Sequence, residues 1–410
     1  MKKKLSMIIT IIAMLMLVTA CGNKSASSDG KVTLTWWDAY TDTDGTVISI
    51  KNAIKKYEEA HPNIKIERVE VPFAELKKKL LLGAAGGELP DIVIIDNPDH
   101  QAMAAAGVLA DITDNVKEWG ESDSYFEGPW SSTIYKGKNY GVPLGSNNLA
   151  LFYNKELLDK AGIKPPTNWN ELTAAAEKLT DKSKGIYGMS VSAIKSEEGT
   201  FQFLPFVWQA GSDLNNFNSE GTVKAITLWK NLIDNGYMPK DILTQNQQDI
   251  ALQFINGKTA MMVNGTWQTS NLQQKANFDW DIVQLPEDKK GGTILGGENF
   301  AVTSTSEHKD EAWDVLEFIQ QKDVLKELVK EKGYIPARKD LVEDDYWQND
   351  KLLKPFADSM QVAKARAYGS KYPSISDEIQ NMIQGVLTGE STPEEAVKQT
   401  AEKIKPYLSE

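Results

Sequence analysis

Cysteine is almost absent from this chain. Cys21 is the only one, and the histidines number three, His61, His100 and His308. A lone cysteine leaves no intrachain disulfide. Standing near the start, it leaves no Cys–His nucleophilic pair for the body of the protein. The histidines lie far apart, with no His-x-x-x-His spacing, so no metal site is expected. A Gly-x-x-x-x-Gly-Lys-Ser/Thr phosphate loop, a Gly-x-Gly-x-x-Gly fingerprint and a Ser-His-Asp set are missing too, so no cofactor and no catalytic residue is expected. Positive charge is also scarce: 45 Lys and Arg face 57 Asp and Glu, a formal net charge of −12. Lys2, Lys3 and Lys4 stand at the very start, so the rest of the chain is more acidic still. That balance excludes nucleic acid as a partner, whose phosphates need a basic surface. It also argues against electrostatic docking on anionic lipid. After the first 20 residues no run is long and apolar enough to cross a membrane.

What is present begins at the start. Three lysines precede an apolar run from Met7 to Val18, which ends at Thr19-Ala20-Cys21. A charged start, a short apolar core and small residues at its end are the parts of an export signal. Leu17-Val18-Thr19-Ala20-Cys21 resembles a bacterial lipobox, in which the cysteine is acylated and becomes the first residue. The expectation is therefore a signal peptide over 1–20, lipidation (palmitate) of Cys21 and a membrane-anchored protein outside the cytoplasm. The plainer alternative is a cleaved secretory signal with Cys21 incidental. Residues 21–30, polar and rich in Ser and Gly, read as a flexible tether. Hydrophobic content of 41% and charged content of 25% fit a globular body, too long for one ordinary core and comfortable for two lobes.

Two hydrophobic periods alternate along the first half. Val32 to Trp37 alternates as a strand, and Val47, Ile50, Ile54 and Tyr57 form one helical stripe. Ile64 to Val69 alternates again, Phe73 to Ala85 is helical, and Ile92 to Ile95 is a buried strand ending at Asp96. This order predicts a mostly parallel sheet with helices on both faces, an α/β fold. Ligands of such sheets bind beyond the carboxyl ends of the strands, which puts Trp37, Asp38 and Asp96 on one rim. Further on, extended chain runs from Gly141 to Tyr153, and helices are expected from Asn154, from Asn168 and around 220–236 and 246–256. Strands are expected at Thr259–Val263, Asp279–Val283 and after Gly296-Gly297, with helices over Glu307–Ile319 and from Thr392.

In this order stand Thr35-Trp36-Trp37-Asp38, Gly86-Gly87-Glu88-Leu89-Pro90-Asp91, Asn147-Asn148-Leu149-Ala150-Leu151-Phe152-Tyr153-Asn154-Lys155, Ala260-Met261-Met262-Val263-Asn264-Gly265-Thr266-Trp267, Gly296-Gly297-Glu298-Asn299 and Gly333-Tyr334-Ile335-Pro336-Ala337-Arg338. The set resembles the extracellular solute-binding proteins of ABC sugar importers, the carbohydrate-binding group that includes maltodextrin-binding protein. The resemblance implies a two-lobed periplasmic-binding-protein-like fold with a hinged cleft. On it, 31–147 and 296–340 would form the N-terminal lobe, and 148–295 and 341–410 the C-terminal lobe. It implies a monomeric binding protein, not an enzyme, whose partners are an oligosaccharide and the permease subunits of an importer.

A sugar offers apolar C–H faces to aromatic rings and paired hydroxyl donors and acceptors to carboxylates, amides and guanidinium groups. Eleven tryptophans supply rings. Trp37 and Asp38 at the strand end, Asp96 and the stacking platform Trp267 are the first candidates. Asn147 and, at the returning crossing, Glu298 and Asn299 follow from the resemblance, as do Arg366 and Tyr372, with Tyr368 behind them. Trp208 is a second platform or core. Each has a plainer reading: Asp38 or Asp96 as a helix cap, Asn147 as a backbone partner. Arg338 reads as a structural ion pair, and Trp169, Trp229 and Trp313 as core. Two other functions remain: an extracellular glycosidase, which needs two carboxylates about 5–10 Å apart, and a binding protein of the same fold for a non-sugar solute.

Overall fold

The structure, a computed structural model, describes residues 30–40, 45–331, 333–366 and 369–409. The expected signal peptide, Cys21 and Tyr368 lie outside them.

Strand β1 (Val32–Asp38), helix α1 (Gly45–Ala60), β2 (Ile64–Glu70), α2 (Phe73–Gly86) and β3 (Ile92–Asp96) follow each other as the two periods predict. β1 pairs in parallel with β2, Val32 opposite Ile64, and with β3, Trp36 opposite Ile92. Helix α3 (Asn97–Ala105) leaves directly from the end of β3. The sheet is completed from later chain. Its order is β2-β1-β3-β9-β4, where β4 is Val142–Pro143 and β9 is Glu298–Val302. β9 runs antiparallel to β3, so Glu298 stands opposite Asp96 and Val302 opposite Ile92. Alternation splits this sheet between two cores. Trp36, Ile92, Ile94, Phe300 and Val302 face one, and Val93, Ile95 and Ala301 face the other, against Leu76, Leu80 and Met103.

A second sheet has the order β6-β5-β7, from β5 (Leu149–Asn154), β6 (Met261–Gly265) and β7 (Trp280–Val283), all antiparallel. Around it lie α4 (Trp169–Leu179), α5 (Glu197–Gln209), α6 (Glu220–Asp234) and α7 (Gln247–Ile255). Asn168 caps α4 by accepting from the Glu171 N–H at 3.0 Å. Glu171 returns its bond to Thr167 rather than to Asn168, so half of the expected capping box forms. Trp169, Trp229 and Trp313 are buried, as their helical stripes predict.

Two sheets in one chain make two lobes, and the chain passes between them along paired extended segments. Asn147 and Gly296 exchange backbone hydrogen bonds at 3.1 and 2.8 Å, and Ser146 and Ile335 do so at 2.7 and 2.8 Å. Beside them β8 (Thr293–Leu295) pairs in parallel with β10 (Ala363–Ala365). Gly296 admits no side chain, because a Cβ would stand 2.2 Å from Asn147 Oδ1 and 2.8 Å from the Phe201 ring. After β9 come α8 (Lys309–Ile319) and α9 (Lys322–Glu331), and later α10 (Tyr372–Thr388) and α11 (Pro393–Ile404). None of the expected elements covers α5 or α10. No described helix is long and apolar enough to cross a membrane, and no cluster suited to a metal ion occurs among the described residues.

Candidate functional site

A cavity of about 200 Å³ lies where the two lobes face each other across the crossing segments. From the first sheet it takes Asp96 at the end of β3, Gly297 and Glu298 at the start of β9, and Phe73 at the start of α2. Tyr334, just before the Ile335 crossing, completes this wall. The second wall is made by Glu197, Glu198 and Phe201 in the first turns of α5, Gln247 opening α7, Trp267 after β6 and Arg366 after β10. Asn147 sits at the crossing itself. A larger groove, about 710 Å³, runs along residues 165–167, 281–293 and 351–362, but no aromatic ring among the described residues lines it.

The rings are placed by backbone. β6 ends at Gly265, and the short helical turn Thr266–Gln268 carries Trp267 back over it. A Cβ on Gly265 would lie 2.0 Å from the indole, so only glycine lets the ring take this position. Phe201 supports it, with centroids 6.2 Å apart and planes tilted by 49°. Trp267 is half-buried and keeps one part of its surface toward the cavity.

The polar groups form a network centred on Arg366, whose side chain is 2% exposed. Its Nη1 donates to Glu197 Oε1 at 2.5 Å, and its Nη2 donates to Asn97 Oδ1 at 3.2 Å and lies 3.5 Å from Asp96 Oδ1. The guanidinium also lies 4.5 Å from the Phe201 ring centre, a cation–π contact. Asp96 occupies the capping position of α3 but makes no side-chain cap, so its carboxyl is left for the cavity. Burial pushes it up to about 8 against the pull of Arg366, and Glu298, Asp99 and Glu197 push the same way. The lift survives an adjacent cation because that cation is shared with Glu197 at shorter range. Burial also raises Glu198, whose Oε2 accepts from the Gln247 N–H at 2.7 Å. Tyr334 donates to Glu298 Oε1 at 2.8 Å, and its hydroxyl is held well above the usual range by burial and then by Glu298.

Asp96, Asn147, Trp267, Glu298 and Arg366 are therefore brought together from five separate stretches of chain. Five other expected contacts are not among the lining residues. Asp38 is fully buried and is held by Arg68 through bonds of 2.7 and 2.6 Å. A buried carboxylate left alone costs several kcal/mol, so this one is committed to its partner. Trp37 points to the opposite face, packs on the smaller core and carries the Lys79 ammonium 4.1 Å from its ring. Asn299 is one residue past Glu298 and so faces away, donating to Ser132 at 2.9 Å. Trp208 lies about three turns down α5 and is core. Tyr372 is buried and acts behind the wall, donating to Glu197 Oε1 at 2.8 Å. Arg338 pairs with Glu121 and Asp340, as its plainer reading has it.

Phe73, Glu197, Glu198, Phe201, Gln247 and Tyr334 were not anticipated. Ser196 caps α5 through the Glu198 N–H, so Ser196-Glu197-Glu198 is a legible helix start that aims two acids at one place. Tyr334 belongs to a stretch already singled out for the resemblance. Phe73 and Gln247 carry no local signal.

The sequence profile of the bacterial extracellular solute-binding proteins matches residues 52–355. The galactooligosaccharide-binding protein of Bacillus subtilis (strain 168) is 24% identical over 423 residues, covering 100% of this chain and 98% of its own. The lactose-binding protein of Rhizobium radiobacter is 25% identical, covering 84% of this chain and 85% of its own. Among solved structures, an ABC transporter solute-binding protein of Thermotoga lettingae bound with α-D-tagatose superposes with a TM-score of 0.84 at 30% identity. That match covers 92% of this chain and 99% of the other. Both lobes, the crossing between them and the match across most of the chain lead to one statement: the protein belongs to the bacterial extracellular solute-binding proteins.

Proposed function

We propose that this protein captures an oligosaccharide between its lobes and delivers it to the permease subunits of an ABC importer, without breaking a bond. The observation that carries the reading is the composition of the cleft: Trp267 and Phe201 beside Asp96, Glu298, Asn147, Gln247 and Arg366. Rings suit the C–H faces of a sugar and the polar set suits its hydroxyls. The names borne by several relatives and by the tagatose-bound neighbour point the same way. The cavity is small beside ordinary ligand pockets of about 300–1,000 Å³. One sugar unit occupies it, and longer ligands extend beyond Phe73. The lobes we assign are 31–147 with 296–340, and 148–295 with 341–410, in a monomer. A glycosidase is the weaker reading, because Glu197 and Glu298 are already engaged by Arg366, Tyr372 and Tyr334.

The test is a titration with maltodextrins and galacto-, arabino- and xylo-oligosaccharides, followed by tryptophan fluorescence, with product analysis of the same samples. Saturable binding and intact sugar are expected; released product would make the protein an enzyme. Cys21 is the proposed lipid anchor. Cys21→Ala should move the protein from membrane to soluble fraction with sugar affinity unchanged, and a variant that stays in the membrane fraction would end that part of the account.

A further inference from the structure

The cleft is unevenly charged. Asp96, Glu197, Glu198 and Glu298 line the first cavity, and Arg366 is the one basic residue among the described residues that line it. Beyond Phe73 a second chamber of about 310 Å³ opens between α2, α3, α5 and α10. It shares Phe73, Asp96, Glu197 and Glu198 with the first and adds Asp99 and Asp377. Its basic lining group, Lys77, is taken by Asp99 at 2.8 Å. Arg366 serves Asp96 and Glu197 at once. Carboxylates around the joined chambers thus exceed cations by a wide margin. Half-buried carboxylates without matching positive charge are unfavourable, and burial raises both Asp96 and Glu198.

A second observation concerns the opposite need. Arg366 Nε is buried and has no hydrogen-bond partner among the described residues. Arg366 Nε thus lacks an acceptor within the fold, and the carboxylates lack matching positive charge. A sugar phosphate or a uronic acid would supply the first and worsen the second. A neutral sugar supplies the first and leaves the second as it is. A sugar carrying an ammonium group supplies both.

We infer that the preferred ligand is an amino sugar with a free, unacetylated amine, its ammonium against Asp96, Glu198 and Glu298 and a hydroxyl or ring oxygen accepting from Arg366. The inference rests on the cleft being a sugar site and adds the chemistry of the sugar. Charge-assisted hydrogen bonds are stronger than neutral ones, and here they form out of bulk water.

The test is calorimetric titration of the full-length mature protein at neutral pH with matched sets. Each set contains one sugar as the neutral hydroxyl compound, the free amine and the N-acetylated amine, in gluco, galacto and manno configurations, as monosaccharides and as β-linked disaccharides. The amine should bind at least about tenfold more tightly than its two counterparts in the configuration that binds. Glu198→Gln, which keeps an acceptor for the Gln247 N–H, should shrink that preference severalfold and leave the neutral sugar's affinity less changed. Neutral or acetylated sugars that bind as well as the amine overturn the inference and leave the sugar-receptor reading standing, as does an undiminished preference in Glu198→Gln for the ammonium's position. If no sugar of these sets or of the oligosaccharide panel binds, the receptor reading itself falls.

Discussion

Trp267 is the residue on which affinity should depend most. Its ring stands on Phe201, folded over Gly265, and no other tryptophan lines the cavity. Trp267→Ala removes ring burial and stacking together, so sugar binding should weaken by about 1–3 kcal/mol, or roughly 5- to 150-fold in Kd. Titration calorimetry of variant and parent checks this, and equal affinities would remove Trp267 from the site. The contrast with Trp37 shows what single residues reveal in a sequence. Asn264-Gly265-Thr266-Trp267 names its own geometry, because a glycine before a helical turn implies a close approach. Trp36-Trp37-Asp38 does not. Strand alternation says the rings part but not which face meets the cleft, and Asp38 is claimed by Arg68, thirty residues away in sequence.

The elements that frame the site differ in how openly the sequence declares them. The β1–α1–β2–α2–β3 run is plain, since strands of a sheet covered on both sides and amphipathic helices have different periods. α5 is hidden: it is buried from Gly199 to Gln209 and contains Pro205, so it has neither a stripe nor an unbroken run of helix formers. With α5 unseen, Glu197, Glu198 and Phe201 could not be placed. The pairing of β9 with β3 is equally silent, because it joins residues about 200 apart in the chain and only register puts Glu298 beside Asp96. That register has a titration consequence. Asp96 is lifted to about 8 in the fold, whereas an unfolded aspartate titrates near ~3.9. Between those values the folded, ligand-free protein keeps a proton that the unfolded chain has lost, so this group's contribution to stability falls as pH rises through the window. Asp96→Asn, which carries no such charge, should therefore gain in melting temperature relative to the parent as pH rises from about 4 to about 8. Melting curves across that range test it; a difference that does not change with pH would mean that Asp96 is not held protonated.

At the scale of the molecule, the candidate ligand site belongs to neither sheet alone. Asp96 and Glu298 come from one sheet, Trp267 and Phe201 from the other half, and Arg366 reaches from β10 to Asn97 and Asp96 across the cleft. Gly369 N–H and Gln101 Oε1 make a further bond across it at 3.0 Å. Such an arrangement gives a ligand its full set of contacts only when the lobes are together, so binding should shift the population toward the closed form. The central claim is this gripping motion around a sugar. The most direct measurement is small-angle X-ray scattering of the protein with and without a saturating sugar from the panel. The account predicts a smaller radius of gyration and a more compact distance distribution with sugar. Saturable binding with scattering curves that superpose would contradict it.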